Sequence, residues 1–313
     1  MNKRLMFSAA LVMALLSANA QKRAFTIEDL YRVKGVSSVS LSPDGKTVCY
    51  TASSSDLKNQ KSGSDIYIMN ADGSHAKALT EDGKSSSAVW SKDGKSIFFT
   101  NYEKGPAQIF RMDLTTCETE QVTDYELGIG SPVISPDERY IAFTAEVYPD
   151  LGADAKANKA RMEKKEQGPV QAHIADKLLY RHWTSYSDGR CNHLILFDTQ
   201  TKTYKDLTPG NYSLIFVVGG GITYQFSPDS KEICFVSNHD EHQEASTNAD
   251  LWTVSVNGGE PVCITKENRL GMVLQPIRLT ASISLTACSK CLVMSLIVSV
   301  LLSTTGLQRS LPS

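Results

Sequence analysis

Short apolar runs alternate with polar punctuation along this chain, and the two recur in a set order. A turn built on Ser and Asp opens directly onto β-branched and aromatic residues. This happens at Ser42-Pro43-Asp44-Gly45-Lys46 before residues 47–51, and at Ser91-Lys92-Asp93-Gly94-Lys95 before 97–100. It recurs at Ser135-Pro136-Asp137 before 140–144 and at Ser227-Pro228-Asp229-Ser230-Lys231 before 232–238. Apolar runs of this length bounded by turn formers predict strands. A second strand follows in each unit (65–70, 108–113, 192–198, 250–254), and each unit closes on an apolar residue and a Thr: Leu79-Thr80, Val122-Thr123, Leu207-Thr208, Ile264-Thr265.

Four copies of turn, strand, strand and closing Thr are a repeat. Units of three or four short strands at intervals of about 40 to 50 residues predict β-propeller blades. The alternation is imperfect because blade sheets stack face to face and both faces lose water. A β-helix would have shorter units, and an immunoglobulin-like sandwich would not repeat its turn chemistry. The predicted fold class is all-β: an incomplete β-propeller of about four WD40-like or TolB-like blades over residues 37–269. The third unit is roughly twice as long as the others, which places an insertion at about 148–177. Its 155–167 stretch, rich in Ala, Lys and Glu, predicts a helix or mobile flap, after which the blade resumes at Leu178-Leu179-Tyr180-Arg181-His182-Trp183.

The two ends read differently. Lys3 and Arg4, an apolar run over 5–16 and the small residues Ala18-Asn19-Ala20 predict a signal peptide at 1–20, hence an exported chain, periplasmic or secreted. That run is short for a membrane span of about 20 residues. Within 21–36, Thr26 with Asp29 three positions on, and Ile27, Leu30 and Tyr31 at helical spacing, predict one short helix lying on the repeat array. From Gly271 onward there is no Asp, Glu or Tyr. A tail anchor would need a longer apolar run than 291–302. Read one base out of frame, however, codons for 279–287 permit Pro-Asp-Gly-Lys and a strand, a fifth opener. Residues 270–313 are therefore expected to be an aberrant, irregular tail, a frameshift product.

The formal charge of −2 has no basic face for nucleic acid, and no membrane contact is expected beyond the signal peptide. Seven cysteines at irregular spacing predict no required disulfide. No Gly-x-Ser-x-Gly elbow occurs, so no catalytic residue is assigned. His239-Asp240-Glu241-His242 could ligate a metal but reads as a solvated loop, and Gly219-Gly220-Gly221 precedes a strand instead of a phosphate-binding helix. No metal or cofactor is expected. Glu163 and Glu166 share a helix face, either as wetted surface or as carboxylates that hold the amino group of a peptide. Tyr180, Arg181, His182 and Trp183 form a dense polar and aromatic group that either fills space between blades or faces substrate.

Several segments together resemble the propeller of prolyl oligopeptidase family serine peptidases, in the dipeptidyl and acylaminoacyl peptidase branch. They are Ile27-Glu28-Asp29-Leu30 running into Ser40-Leu41-Ser42-Pro43-Asp44-Gly45-Lys46, Tyr180-Arg181-His182-Trp183 with Ser187-Asp188-Gly189 and His193-Leu194, Asp206-Leu207-Thr208-Pro209-Gly210, and Phe226-Ser227-Pro228-Asp229. The resemblance covers about residues 25–269. It implies a seven- or eight-bladed propeller that caps a C-terminal α/β-hydrolase domain with a Ser-Asp-His triad and admits short peptides. The chain would then be the substrate-gating portion of an exported serine peptidase that cleaves short peptides from peptide N-termini. As written it would lack the hydrolase domain and be inactive and poorly soluble. The alternative is a stand-alone TolB-like periplasmic binding propeller.

Overall fold

The computed structural model describes residues 24–175, 178, 180–182, 184–214, 223–246 and 248–265. The predicted signal peptide, Trp183, the Gly219–Gly221 run and the 270–313 tail lie outside them. The chain divides into two compact units, residues 1–88 and 89–313.

In the first unit, helix α1 (Ile27–Arg32) precedes a four-stranded antiparallel sheet. The sheet is β1 (Gly35–Leu41), β2 (Thr47–Asp56), β3 (Lys61–Asn70) and β4 (Lys77–Ala78), paired in that order. The capping box is formed: Asp29 Oδ2 accepts from the Thr26 backbone N–H at 2.9 Å and from its hydroxyl at 3.1 Å. Helix α1 lies against β2, as expected, but buries no residue there, and Ile27 and Leu30 are exposed. Six residues give too little apolar stripe to hold a helix by burial.

The remaining sheets repeat the first. The second is β5 (Ser85–Trp90), β6 (Ser96–Asn101), β7 (Gln108–Asp113) and β8 (Thr119–Gln121). The third begins with β9 (Gly130–Ile134) and β10 (Tyr140–Val147). An excursion holding helix α2 (Ala155–Glu166) and a ribbon of β11 (Arg181–His182) with β12 (Ser185–Tyr186) follows, and β13 (Cys191–Asp198) and β14 (Thr203–Asp206) complete that sheet. The fourth is β15 (Tyr224–Phe226), β16 (Glu232–Ser237), β17 (Asp250–Ser255) and β18 (Val262–Cys263). Each predicted turn therefore joins the first strand of a blade to the second. The insertion is longer than expected: β10 pairs directly with β13, from Tyr140 opposite Asp198 to Val147 opposite Cys191. Tyr180 and Arg181 thus belong to the excursion and not to the blade, because the full length of β10 is already paired by a later strand.

The turn chemistry is the same in all four sheets. Ser42, Ser91, Ser135 and Ser227 each donate their hydroxyl to the Asp two residues on, at 2.6–2.7 Å. Each hydroxyl also accepts the N–H of the residue five positions on, at 2.9–3.0 Å. The residue after the Asp takes a left-handed conformation: Gly45 at φ 72° and Gly94 at 70°, but Glu138 at 61° and Ser230 at 60°. A side chain there costs about 1–2 kcal/mol, and both side chains are put to use. Glu138 Oε1 accepts the N–H of Lys92 in the second blade's turn, and Ser230 Oγ accepts the N–H of Asp137 in the third's, at 3.1 Å. Neighbouring turns are thereby linked.

The closing Thr fastens the outer end. Thr80, Thr123, Thr208 and Thr265 each accept the N–H of the strand residue facing them (Ile66, Ile109, Leu194, Leu251) at 2.9–3.0 Å. In three blades the same hydroxyl donates to the preceding strand residue: Asp65 at 3.1 Å, Gln108 at 2.9 Å and Asp250 at 2.7 Å. In the third blade that place is taken by His193, which is fully buried. Its Nδ1 meets Asp206 Oδ2 at 2.7 Å and its Nε2 donates to the Gly210 carbonyl at 2.9 Å. Burial alone would lower its pKa, but Asp206, Cys191 and the Gly210 carbonyl outweigh this and hold it up to about 9. The ring is an imidazolium at neutral pH.

The core lies between sheets. Along β10 and β13, Ile141, Phe143, Ile195 and Phe197 pack with Phe98 and Ile109 of the second sheet, whereas Tyr140, Ala142, Leu194 and Leu196 pack with Phe226, Ile233 and Phe235 of the fourth. Successive side chains point to opposite faces of a strand, so a strand between two sheets is apolar throughout.

Thr123→Ala is expected to lower unfolding free energy by about 1–3 kcal/mol by leaving the Ile109 N–H and the Gln108 side chain short of a partner, with Thr123→Ser nearly neutral, both read by urea titration. Asp206→Asn, which strands a buried imidazolium, is expected to cost about 3–5 kcal/mol at pH 7. Because the folded pKa of His193 is raised, its contribution is complete below the ordinary histidine range and is lost as pH rises through about 9. The urea midpoint should fall between pH 7 and 10 in the wild type and not in the Asn variant.

Candidate functional site

The excursion leaves the third sheet at the end opposite its Ser135–Asp137 turn, and its polar composition decides how it is held. Asp154 caps α2, accepting the Ala157 N–H at 2.9 Å. Asn158 is the helix's only buried residue among those described. Its side chain accepts from the Tyr148 N–H at 2.7 Å and donates to the Gly152 and Asp154 carbonyls at 3.0 and 2.8 Å. Arg161 grips both oxygens of Asp150 at 2.7 and 2.6 Å and lies 4.7 Å over the Tyr148 ring. The bond to Arg161 holds the Asp150 carboxyl below the usual carboxylate range.

Between α2 and the second and third sheets is a cleft of ≈ 650 Å³. Its apolar wall includes Pro106, Leu127, Ile129 and Met162. Two glycines shape its floor. A Cβ at Gly128 (φ 79°) would come within 2.9 Å of Pro106, and one at Gly130 within 2.7 Å of the Thr144 hydroxyl. Four carboxylates face the cleft, those of Glu126, Glu146, Glu163 and Glu166. Glu126 pairs with Lys159 at 3.3 Å, and Glu146 with Arg190 at 3.2 Å. Arg190 is held in turn by Asp188 at 2.8 Å. Glu163 and Glu166 have no ion-pair partner among the described residues. They lie on one face of the helix at i, i+3, where side chains are neighbours. The cleft thus offers two uncompensated, exposed carboxylates beside an apolar wall, an arrangement suited to a cationic group attached to an apolar or extended chain.

The other predicted residues are elsewhere. Tyr180 and Arg181 are exposed on the small ribbon, Arg181 facing Tyr186 in register. Tyr180 stacks on Tyr186 at 6.5 Å, and Tyr186 on His173 at 4.2 Å. The backbone of His182 pairs with Ser185, and Trp183 is outside the described residues. Neither Tyr180 nor Arg181 lines the cleft. His239 is stacked between Tyr212 at 3.7 Å and Trp252 at 3.8 Å, and Asp240 accepts bonds from Ser246 and Asn248. Sequence reasoning missed Glu126, Glu146, Lys159 and Arg190. Only Arg190, adjacent to the quoted Ser187-Asp188-Gly189, had any local signal, because the rest meet across separations that no pattern encodes.

Comparison with known proteins supplies the lineage. The TolB β-propeller domain family matches residues 20–166, and the dipeptidyl peptidase IV N-terminal region matches residues 153–292. Dipeptidyl-peptidase 5 of Porphyromonas gingivalis is 29% identical over 231 residues, covering 72% of this chain and 33% of that protein. The Porphyromonas endodontalis protein of the same name is 25% identical over 264 residues, covering 82% and 37%. The chain therefore spans about a third of the length of these curated relatives. In fold it matches an acylaminoacyl peptidase of Pyrococcus horikoshii with a TM-score of 0.53 at 18% identity, over 75% of this chain and 33% of that one. Blade sheets, family matches and relatives agree in making this chain similar to the N-terminal propeller portion of prolyl oligopeptidase family peptidases.

Proposed function

We propose that the chain selects substrates for an exported serine peptidase that releases short peptides from peptide N-termini, and that the α2 cleft receives the free amino group. The observation that carries this is the unequal pairing of the cleft's acids: Glu126 and Glu146 are neutralised by Lys159 and Arg190, whereas Glu163 and Glu166 are not. A peptide's α-amino group is a compact cation with three donors, and two neighbouring carboxylates satisfy it without a counter-charge from the protein. The apolar wall leaves room for the first side chain. Hydrolysis falls, in this reading, to an α/β-hydrolase domain outside this sequence. Tyr180, Arg181, His182 and Trp183 are given the role of facing substrate on its way in, Tyr180 and Arg181 from the exposed ribbon. Export is supported by the signal-like first 20 residues, and no helix among the described residues is long and apolar enough to cross a membrane. The TolB-domain match supports a second reading, a binding propeller indifferent to the peptide's amino end.

Calorimetry with an alanine tetrapeptide separates the two. The free-amino peptide is expected to bind and its Nα-acetyl form not to. The Glu163→Gln, Glu166→Gln double variant should lose about 10- to 100-fold in affinity, the worth of hydrogen bonds to a charged group. Binding should also weaken above about pH 8, where the α-amino group loses its proton. Equal binding of the acetylated peptide would overturn the amino-group reading and favour the second.

A further inference from the structure

The two bases of the cleft do not serve its acids equally. Lys159 lies 3.3 Å from Glu126 and has no second ion-pair partner among the described residues. Arg190, by contrast, answers two carboxylates with one charge: its Nε donates to both oxygens of Asp188, at 3.1 and 2.8 Å, and its Nη1 lies 3.2 Å from Glu146 Oε2. Asp188 has the firmer hold, since it also accepts the Arg190 backbone N–H at 3.2 Å. The Glu146 side chain is 63% exposed and has no other partner among the described residues. Four carboxylates thus line the cleft against two bases, one of them shared with an acid outside it. A peptide's α-ammonium brings one positive charge, which leaves the cleft negative, and the sharing of Arg190 places the deficit at Glu146.

A chain of contacts brings Glu146 within reach of a bound peptide's first side chain. Met162 precedes Glu163 on α2 and stands one helical turn before Glu166, its Sδ is 3.7 Å from Arg190 Nη1, and that same nitrogen meets Glu146. Leu127, Ile129 and Met162 offer the cleft's apolar wall to a hydrocarbon stem. We infer that the cleft selects peptides whose first residue carries a cation on a long aliphatic stem, lysine being the type, and that Glu146 is the residue that recognises the cation. The four-carbon stem lies along the apolar wall while its ammonium stays at the wet rim, the arrangement long basic side chains adopt. A short first side chain cannot span to Glu146, and an acidic one adds a fifth carboxylate.

This inference rests on the amino-group reading above, and the experiment separates the two. Calorimetry on the whole chain compares lysine followed by three alanines with the same peptide carrying norleucine in first place. Both have a free amino end and the same stem, so their ratio reports the side-chain charge alone. The lysine peptide is expected to bind about two- to five-fold more tightly at low salt, the worth of an exposed ion pair. In the wild type that advantage should shrink toward unity at about 1 M salt, where the Debye length is about 3 Å. Glu146→Gln should bring the two peptides to one affinity at low salt. Equal affinities in the wild type, an advantage indifferent to salt, or one that survives Glu146→Gln would overturn this inference, and the amino-group reading would stand provided the Nα-acetyl norleucine peptide fails to bind. If neither free-amino peptide binds, or the acetylated one binds equally well, the reading of the site falls and this inference falls with it.

Discussion

Each blade is a sheet of short strands that would not survive alone, and what makes it a unit is a pair of hydroxyl clasps at its two ends. At one end a Ser hydroxyl both donates to an Asp and accepts the first N–H of the strand beyond the turn. At the other a Thr hydroxyl completes a ladder position that the short last strand cannot reach. Both satisfy backbone groups that burial between blades would otherwise strand, at a cost of about 1–3 kcal/mol each. These clasps pair backbone groups at the sheet ends and so favour stacking of one sheet on the next.

The departures from this scheme join blades to one another. Glycine gives the left-handed turn residue its freedom in the first two copies, but Glu138 and Ser230 accept the strain and send a side chain to the adjoining turn. His193 replaces an acid or amide, and its charge draws in both Asp206 and the Gly210 carbonyl, so that the loop after β14 is anchored to the third blade's interior.

This rigidity contrasts with the excursion planted on it. The blades are held by apolar side chains interleaved from both faces of β10 and β13, but α2 touches that core only near its start, through Ala155, and is otherwise held by one buried Asn and by charges at the surface. A cleft with one wall of packed sheets and one wall of polar helix is what results, and the helix carries the unpaired carboxylates.

The repeat, the strands, the Ser–Asp turns, the closing Thr residues and a helix near 155–167 were all legible from residue order, because each depends on neighbours within a few positions. The extra strand ahead of each turn was less visible, since its pairing partner and not its own pattern makes it a strand. Assigning Tyr180 and Arg181 to a blade failed for a related reason: which of two β-prone segments pairs with β10 is settled by competition for a single edge, and β13 offers the longer apolar match. The cleft lay furthest from view. Residue order places Glu163 beside Glu166, because a helix brings i and i+3 together; that Lys159 neutralises Glu126 and Arg190 neutralises Glu146, leaving those two alone, is decided only when separate sheets and the returning chain close around one volume.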